Sequence, residues 1–205
     1  MARAKTAVAP PRAALPAHEE NRYLAKVKTS LARRWSHTRM KELYEQADLA
    51  RYLWALDREA EALDVLRSVT SAVPPPGGAG LPNYNVWSPV VTMNALEARI
   101  CRLDGDEAGA AAPVSRLMAD PGLAPNRDHI AAEVAEAPSG FADANAETSV
   151  KWACHKLSRK IGGLTLLCEL GVAGHPYGDW YDVEETDRLI ATGRALLAAR
   201  LAMTA

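Results

Sequence analysis

Between Lys41 and Pro74 two apolar stripes follow one another at helical spacing, separated by a short charged turn. Leu43, Ala47, Ala50, Leu53 and Trp54 form the first, with Leu56 closing it; Ala62, Leu63, Leu66 and Val69 form the second. Each stripe is too narrow to be buried alone, so the pattern predicts two helices folded back on one another as an antiparallel hairpin. The rest of the chain reads as further helices stacked on this pair.

Upstream, Pro16 can open a helix whose apolar stripe is Leu24, Val27, Leu31 and Trp35. Downstream, Pro74 to Asn85 is rich in proline and glycine and predicts a loop near 74–87. Ser88-Pro89 then reads as a cap followed by proline at the first helical position. The helix that follows runs to about Leu103 and buries Val90, Met93, Leu96, Ile100 and Cys101. Asp104-Gly105 breaks it, and Asp106 can cap a partner helix carrying Ala110, Val114 and Leu117, bent or delayed by Pro113. After a short helix with Ile130 and Val134, a second break is expected over 137–146. A long pattern from Glu147 to Leu170 buries Val150, Ala153, Leu157, Ile161, Leu164, Leu167 and Cys168, with Gly162-Gly163 permitting a kink or a close crossing. A last helix, capped by Asp182, carries Leu189, Ile190, Leu196, Leu197 and Leu201, and Gly193 leaves room for a neighbour.

The stretch from Lys41 to Pro74 resembles a tetratricopeptide repeat, a helix-turn-helix unit of about 34 residues. Leu49, Ala50 and Leu53 match its large-small-large first helix; Ala62, Leu66, Val69 and Pro74 match its second helix and closing proline. Gln46 stands where the family often has tryptophan, and Asp57 replaces the turn glycine. Ser88 to Gly122 is a poorer copy, with Gly105 lying 48 residues after Asp57. The resemblance implies an all-α fold of antiparallel hairpins, stacked as a tetratricopeptide-like array or as an irregular helical bundle. It also implies a concave face that binds a protein or peptide.

Composition supports the helical reading: alanine is about a fifth of the chain and aromatics only 6%, which favours close helix packing over sheet. The length suits a single all-helical domain over 17–205 behind a disordered basic leader, 1–16. The leader lacks the continuous apolar segment of a secretory signal, and no later run is long enough to span a membrane. A cytoplasmic protein with no membrane partner is expected. Its three cysteines, Cys101, Cys154 and Cys168, then read as reduced core thiols.

Net charge is −1, yet residues 1–41 hold ten Lys and Arg against Glu19 and Glu20, leaving +8 there and −9 in the remainder. Lys26, Lys28, Arg33 and Arg34 are the candidate polyanion-binding residues, against the alternative of a solvated face that balances the acidic hairpin. The segment His175 to Glu185 packs Tyr177, Trp180 and Tyr181 beside Asp179. These four are candidate partner-binding residues, although a plug closing the end of the helical stack is the preferred role. No phosphate-binding glycine loop, paired metal-ligand motif or nucleophile elbow is present, and no cofactor is called for. Cys154 and His155 are neighbours on a helix and point about 100° apart, so they cannot face one another. His155 could meet His175 or Asp179 across a fold; otherwise Cys154 is core and His155 is surface or interface. The leading expectation is therefore a non-enzymatic protein- or peptide-binding domain. Nucleic-acid or other polyanion binding through the basic N-terminal helix comes second, and an enzyme with an unfamiliar site near His155 and His175 third.

Overall fold

The computed structural model describes residues 40–71, 84–120, 122–124, 127–128, 130, 141, 144, 150–176 and 182–203. Among these residues there are six helices and no strand: α1 (Met40–Ala55), α2 (Glu59–Thr70), α3 (Tyr84–Leu103), α4 (Glu107–Met118), α5 (Val150–Val172) and α6 (Val183–Ala202). The leader over 1–16 and the helix expected around Leu24, Val27, Leu31 and Trp35 fall outside the described residues.

The helix ends follow from local chemistry. Asp106 accepts a hydrogen bond from the Gly109 amide at 2.8 Å to start α4, and Asp182 does the same for the Glu185 amide at 2.8 Å to start α6. Glu59 and Glu61 open α2, and Arg67 closes it, complementing the helix dipole.

Three helices end in the same kind of turn. Asp57, Gly105 and Gly174 have φ of 60°, 78° and 70°. After each, the next amide reaches back to close the last turn: Arg58 to the Leu53 carbonyl at 2.9 Å, Asp106 to Cys101 at 2.8 Å, His175 to Leu170 at 2.9 Å. With the inner bonds Asp57 to Trp54, Gly105 to Arg102 and Gly174 to Gly171, these are Schellman caps. Asp57, which departs from the glycine of the repeat pattern, thus holds the left-handed conformation a glycine would adopt.

The α1–α2 and α3–α4 hairpins use this turn in the same way, and Ala62 and Ala110, 48 residues apart, are both buried just beyond it. α3 packs on α1, α2, α4 and α5; α5 packs on α1, α3, α4 and α6. Because α1 also touches α6, the hairpins close on one another as an irregular bundle around α3 and α5. Trp54, Leu53, Leu66, Met93, Leu96, Leu157, Ile161 and Leu164 are the heart of the main core. Val91, Leu117, Leu123, Ile130 and Leu170 form a second cluster where α3, α4 and α5 meet the segment after α4.

Two boundaries differ from the sequence reading. α3 starts at Tyr84, inside the loop expected near 74–87 and ahead of the expected Ser88 cap, so Pro89 lies within the helix. Pro89 gives up the bond its amide would make to the Asn85 carbonyl and crowds that carbonyl with its ring, yet the helix continues past it. Similarly, α4 runs through Pro113 without interruption. Phe141 and Ala144, inside the break expected over 137–146, are helical and buried. Phe141 packs directly against the backbone of Gly193, where an added Cβ would come within 2.6 Å of its ring.

Candidate functional site

The polar residues of greatest interest meet where α1, α3 and α5 cross. Asp48 and Arg51 lie one turn apart on α1, His155 and Ser158 one turn apart on α5, and Thr92 faces them from α3. Arg51, only 3% exposed, donates from Nε to Ser158 Oγ at 2.6 Å, from Nη1 to Thr92 Oγ1 at 3.3 Å and from Nη2 to Asp48 Oδ1 at 3.4 Å. Ser158 in turn donates its hydroxyl proton to Asp48 Oδ1 at 2.6 Å. His155 Nδ1 sits 2.8 Å from the other Asp48 oxygen. Burial pulls the Arg51 guanidinium below its ordinary value, with the Asp48 charge opposing. Gly162 is what admits it: a Cβ there would lie 3.0 Å from Nη1.

A serine, a histidine and an aspartate are together here, but not in a hydrolytic arrangement. Ser158 is fully buried, and its hydroxyl is engaged by Asp48 and Arg51 rather than by the imidazole. The cluster is a polar weld between α1 and α5, and one of its products is a fixed His155 ring.

That ring carries the arrangement to the surface. Trp152, 49% exposed, stacks on His155 with centroids 5.8 Å apart and planes at 28°. Lys156 Nζ lies 5.7 Å from the Trp152 ring centre, and Arg159 lies 6.0 Å from that of Tyr44 on α1. The outward side of α5 thus presents Lys151, Trp152, His155, Lys156, Arg159 and Lys160, each exposed or half-buried, while Ala153, Cys154, Leu157 and Ser158 face inward. No acidic residue occurs between Glu147 and Glu169.

The other buried charges act as struts. Glu97 on α3 takes Arg116 of α4 at 2.8 Å and Thr70 of α2 at 3.2 Å. Glu169 on α5 takes Arg102 of α3 at 2.8 Å, and Arg99 joins α3 to Asp187 of α6 at 2.6 Å. Burial holds the Glu169 carboxyl above its usual range, against the pull of Arg102 and Arg99. Arg194 of α6 lies 4.0 Å from the Trp54 ring centre and donates to the Trp54 carbonyl at 2.6 Å. Cys101, Cys154 and Cys168 are all buried thiols, that of Cys154 pushed up to about 11 by desolvation.

Lys26, Lys28, Arg33 and Arg34, and likewise Tyr177, Asp179, Trp180 and Tyr181, lie outside the described residues. His155 and His175 do not converge. α5 separates them by about 25 Å along its axis, and His155 turns to Asp48 of α1 instead. Burial lowers the His175 pKa. Among the described residues no three His, Cys, Asp or Glu side chains could hold one metal ion, and no helix is long and apolar enough to cross a membrane. The outward face of α5 is not among the sequence-predicted sites. The signal for it is the complement of the apolar periodicity over 147–170: positions 151, 152, 155, 156, 159 and 160 recur on one side just as the buried positions do on the other. Comparison with protein-family models, with curated proteins and with solved structures finds no match.

Proposed function

We propose that this chain is a non-enzymatic interaction domain that binds a protein or peptide through the outward face of α5. The observation that carries the reading is Trp152. It is a large aromatic, half in solvent, braced by His155, which is itself tied to a buried carboxylate. Tryptophan is among the side chains that dominate binding energy at interfaces. By contrast, the Ser158 hydroxyl and the Arg51 guanidinium are spent on holding helices together, which removes them from chemistry on a substrate.

A peptide library displayed on phage tests this while the partner is still unidentified. Selection on the parent chain is expected to enrich sequences whose affinity drops at least about tenfold on Trp152→Ala. Identical enrichment on parent and variant would overturn the proposal. The polyanion reading draws support from the same face, through Lys151, Lys156, Arg159 and Lys160, and a comparison of acidic peptide with nucleic acid separates the two.

A further inference from the structure

We infer that His155 sets the specificity of the α5 face: its Nε2 atom accepts a hydrogen bond, so the partner places an N–H or O–H donor there. The inference rests on α5 being the recognition face and goes on to name what the partner must bring to it.

Which ring nitrogen carries the proton follows from what surrounds Asp48. Its Oδ1 accepts from the Ser158 hydroxyl at 2.6 Å and from Arg51 Nη2 at 3.4 Å. A carboxylate paired with a buried guanidinium has no proton of its own to give. The 2.8 Å contact between its Oδ2 and His155 Nδ1 therefore needs the proton on Nδ1. In the neutral ring this leaves Nε2 bare, as an acceptor.

Position completes the case. Nδ1 is turned to α1, while the His155 side chain as a whole is 30% exposed. Among the described residues, the buried side-chain atoms left without a hydrogen bond belong to Gln46, Trp54, Arg99, Glu169 and Arg194. Nε2 makes no hydrogen bond either, yet it is not one of these atoms, so it opens to solvent. The direction of the acceptor is fixed, because Nδ1 is tied to Asp48 and the ring lies against that of Trp152. A partner that covers Trp152 covers Nε2 with it. Without a donor at that point the nitrogen would lose its water and gain nothing. This is the penalty by which a polar site rejects analogues lacking one group.

Two measurements on the full chain test the inference. The first needs no partner: a long-range ¹H–¹⁵N correlation spectrum at mildly alkaline pH, with the His155 ring identified by its loss in His155→Gln. Nδ1 should be the protonated nitrogen and Nε2 the bare one. A proton on Nε2, alone or together with one on Nδ1, would overturn the inference. The second uses a peptide enriched by phage selection on the parent chain, its affinity followed by fluorescence anisotropy. His155→Phe keeps an aromatic ring beside Trp152 but no acceptor, and is expected to bind at least about tenfold more weakly. His155→Gln, whose amide oxygen can stand in for Nε2, should recover part of that loss. Equal affinity of His155→Phe and parent, or equal losses in the two variants, would overturn the inference; with affinity still lost in Trp152→Ala, the α5 reading stands. Affinity unchanged in both Trp152→Ala and His155→Phe would overturn the α5 reading as well. If melting shows that His155→Phe does not fold, the Nε2 resonance of the parent is followed instead. It should shift as the peptide is added, and saturable binding that leaves it unmoved would overturn the inference.

Discussion

Gly162 and Gly163 are neighbours in the interior of α5, both buried, yet alanine at the two positions should have opposite effects. Either substitution removes a glycine from a helix interior, worth about 1 kcal/mol in favour of the folded state. At Gly163 nothing lies within 4 Å of the new Cβ, so the gain is kept. At Gly162 the Cβ arrives 3.0 Å from Arg51 Nη1 and 3.3 Å from its Cζ, closer than ordinary contact. The guanidinium cannot retreat without lengthening its bonds to Ser158, Thr92 or Asp48. Overpacking of this kind costs about 1–3 kcal/mol. The net change for Gly162→Ala is therefore a loss of about 0–2 kcal/mol, and the two variants should differ by about 1–3 kcal/mol. For a chain of this size that is a separation of several degrees, at about 2–4 °C per kcal/mol. Urea unfolding followed by far-UV circular dichroism, with melting as a second readout, measures it. Equal stabilisation by both alanines would refute the claim that Arg51 is pinned against the α5 backbone.

Three further outcomes follow from the buried polar groups. Asp48→Ala leaves Arg51 buried beside Ser158 and Thr92 without its carboxylate and should cost about 3–5 kcal/mol in urea unfolding; a loss under about 1 kcal/mol would contradict the weld. The Gln46 amide is buried with no hydrogen-bond partner among the described residues, so Gln46→Met should stabilise by about 1–2 kcal/mol, checked by the shift in denaturation midpoint. Because burial raises the Glu169 pKa, the native state takes up that proton before the unfolded chain does. Its contribution to stability is then fully present below the ordinary carboxylate range and is lost as pH rises through the raised value. Stability measured across that window should fall less steeply with pH in Glu169→Gln than in the parent, and identical slopes would refute the assignment.

The hairpins and their turns are legible in the sequence because they are local. The stripes of α1 and α2, the Asp106 and Asp182 caps, and the break at Gly105 all depend on residues within a few positions of one another. The turns at Asp57 and Gly105, 48 residues apart, share the left-handed conformation, one on aspartate and one on glycine. What the sequence hides is the polar interior. Nothing near Arg51 in the sequence points to Ser158, 107 residues away, which the fold brings to its Nε. His155 likewise acquires its meaning from Asp48, equally distant along the chain. Apolar periodicity says which side of Val150–Val172 is buried, but not that His155 is braced from behind by α1. The early start of α3 escapes for another reason. Proline is among the strongest boundary signals in a sequence, and here Pro89 nevertheless lies inside a helix that continues on both sides of it.

The central claim, that Trp152 is where this domain meets its partner, can be read from a single nucleus. The chain has five tryptophans, and the Trp152 indole ¹⁵N–¹H resonance is identified by its disappearance in Trp152→Phe. On titration with a peptide enriched by phage selection on the parent chain that resonance should move, while the indole of Trp54, buried at 1% exposure, stays in place. Saturable binding of the peptide with the Trp152 resonance unmoved would contradict the account.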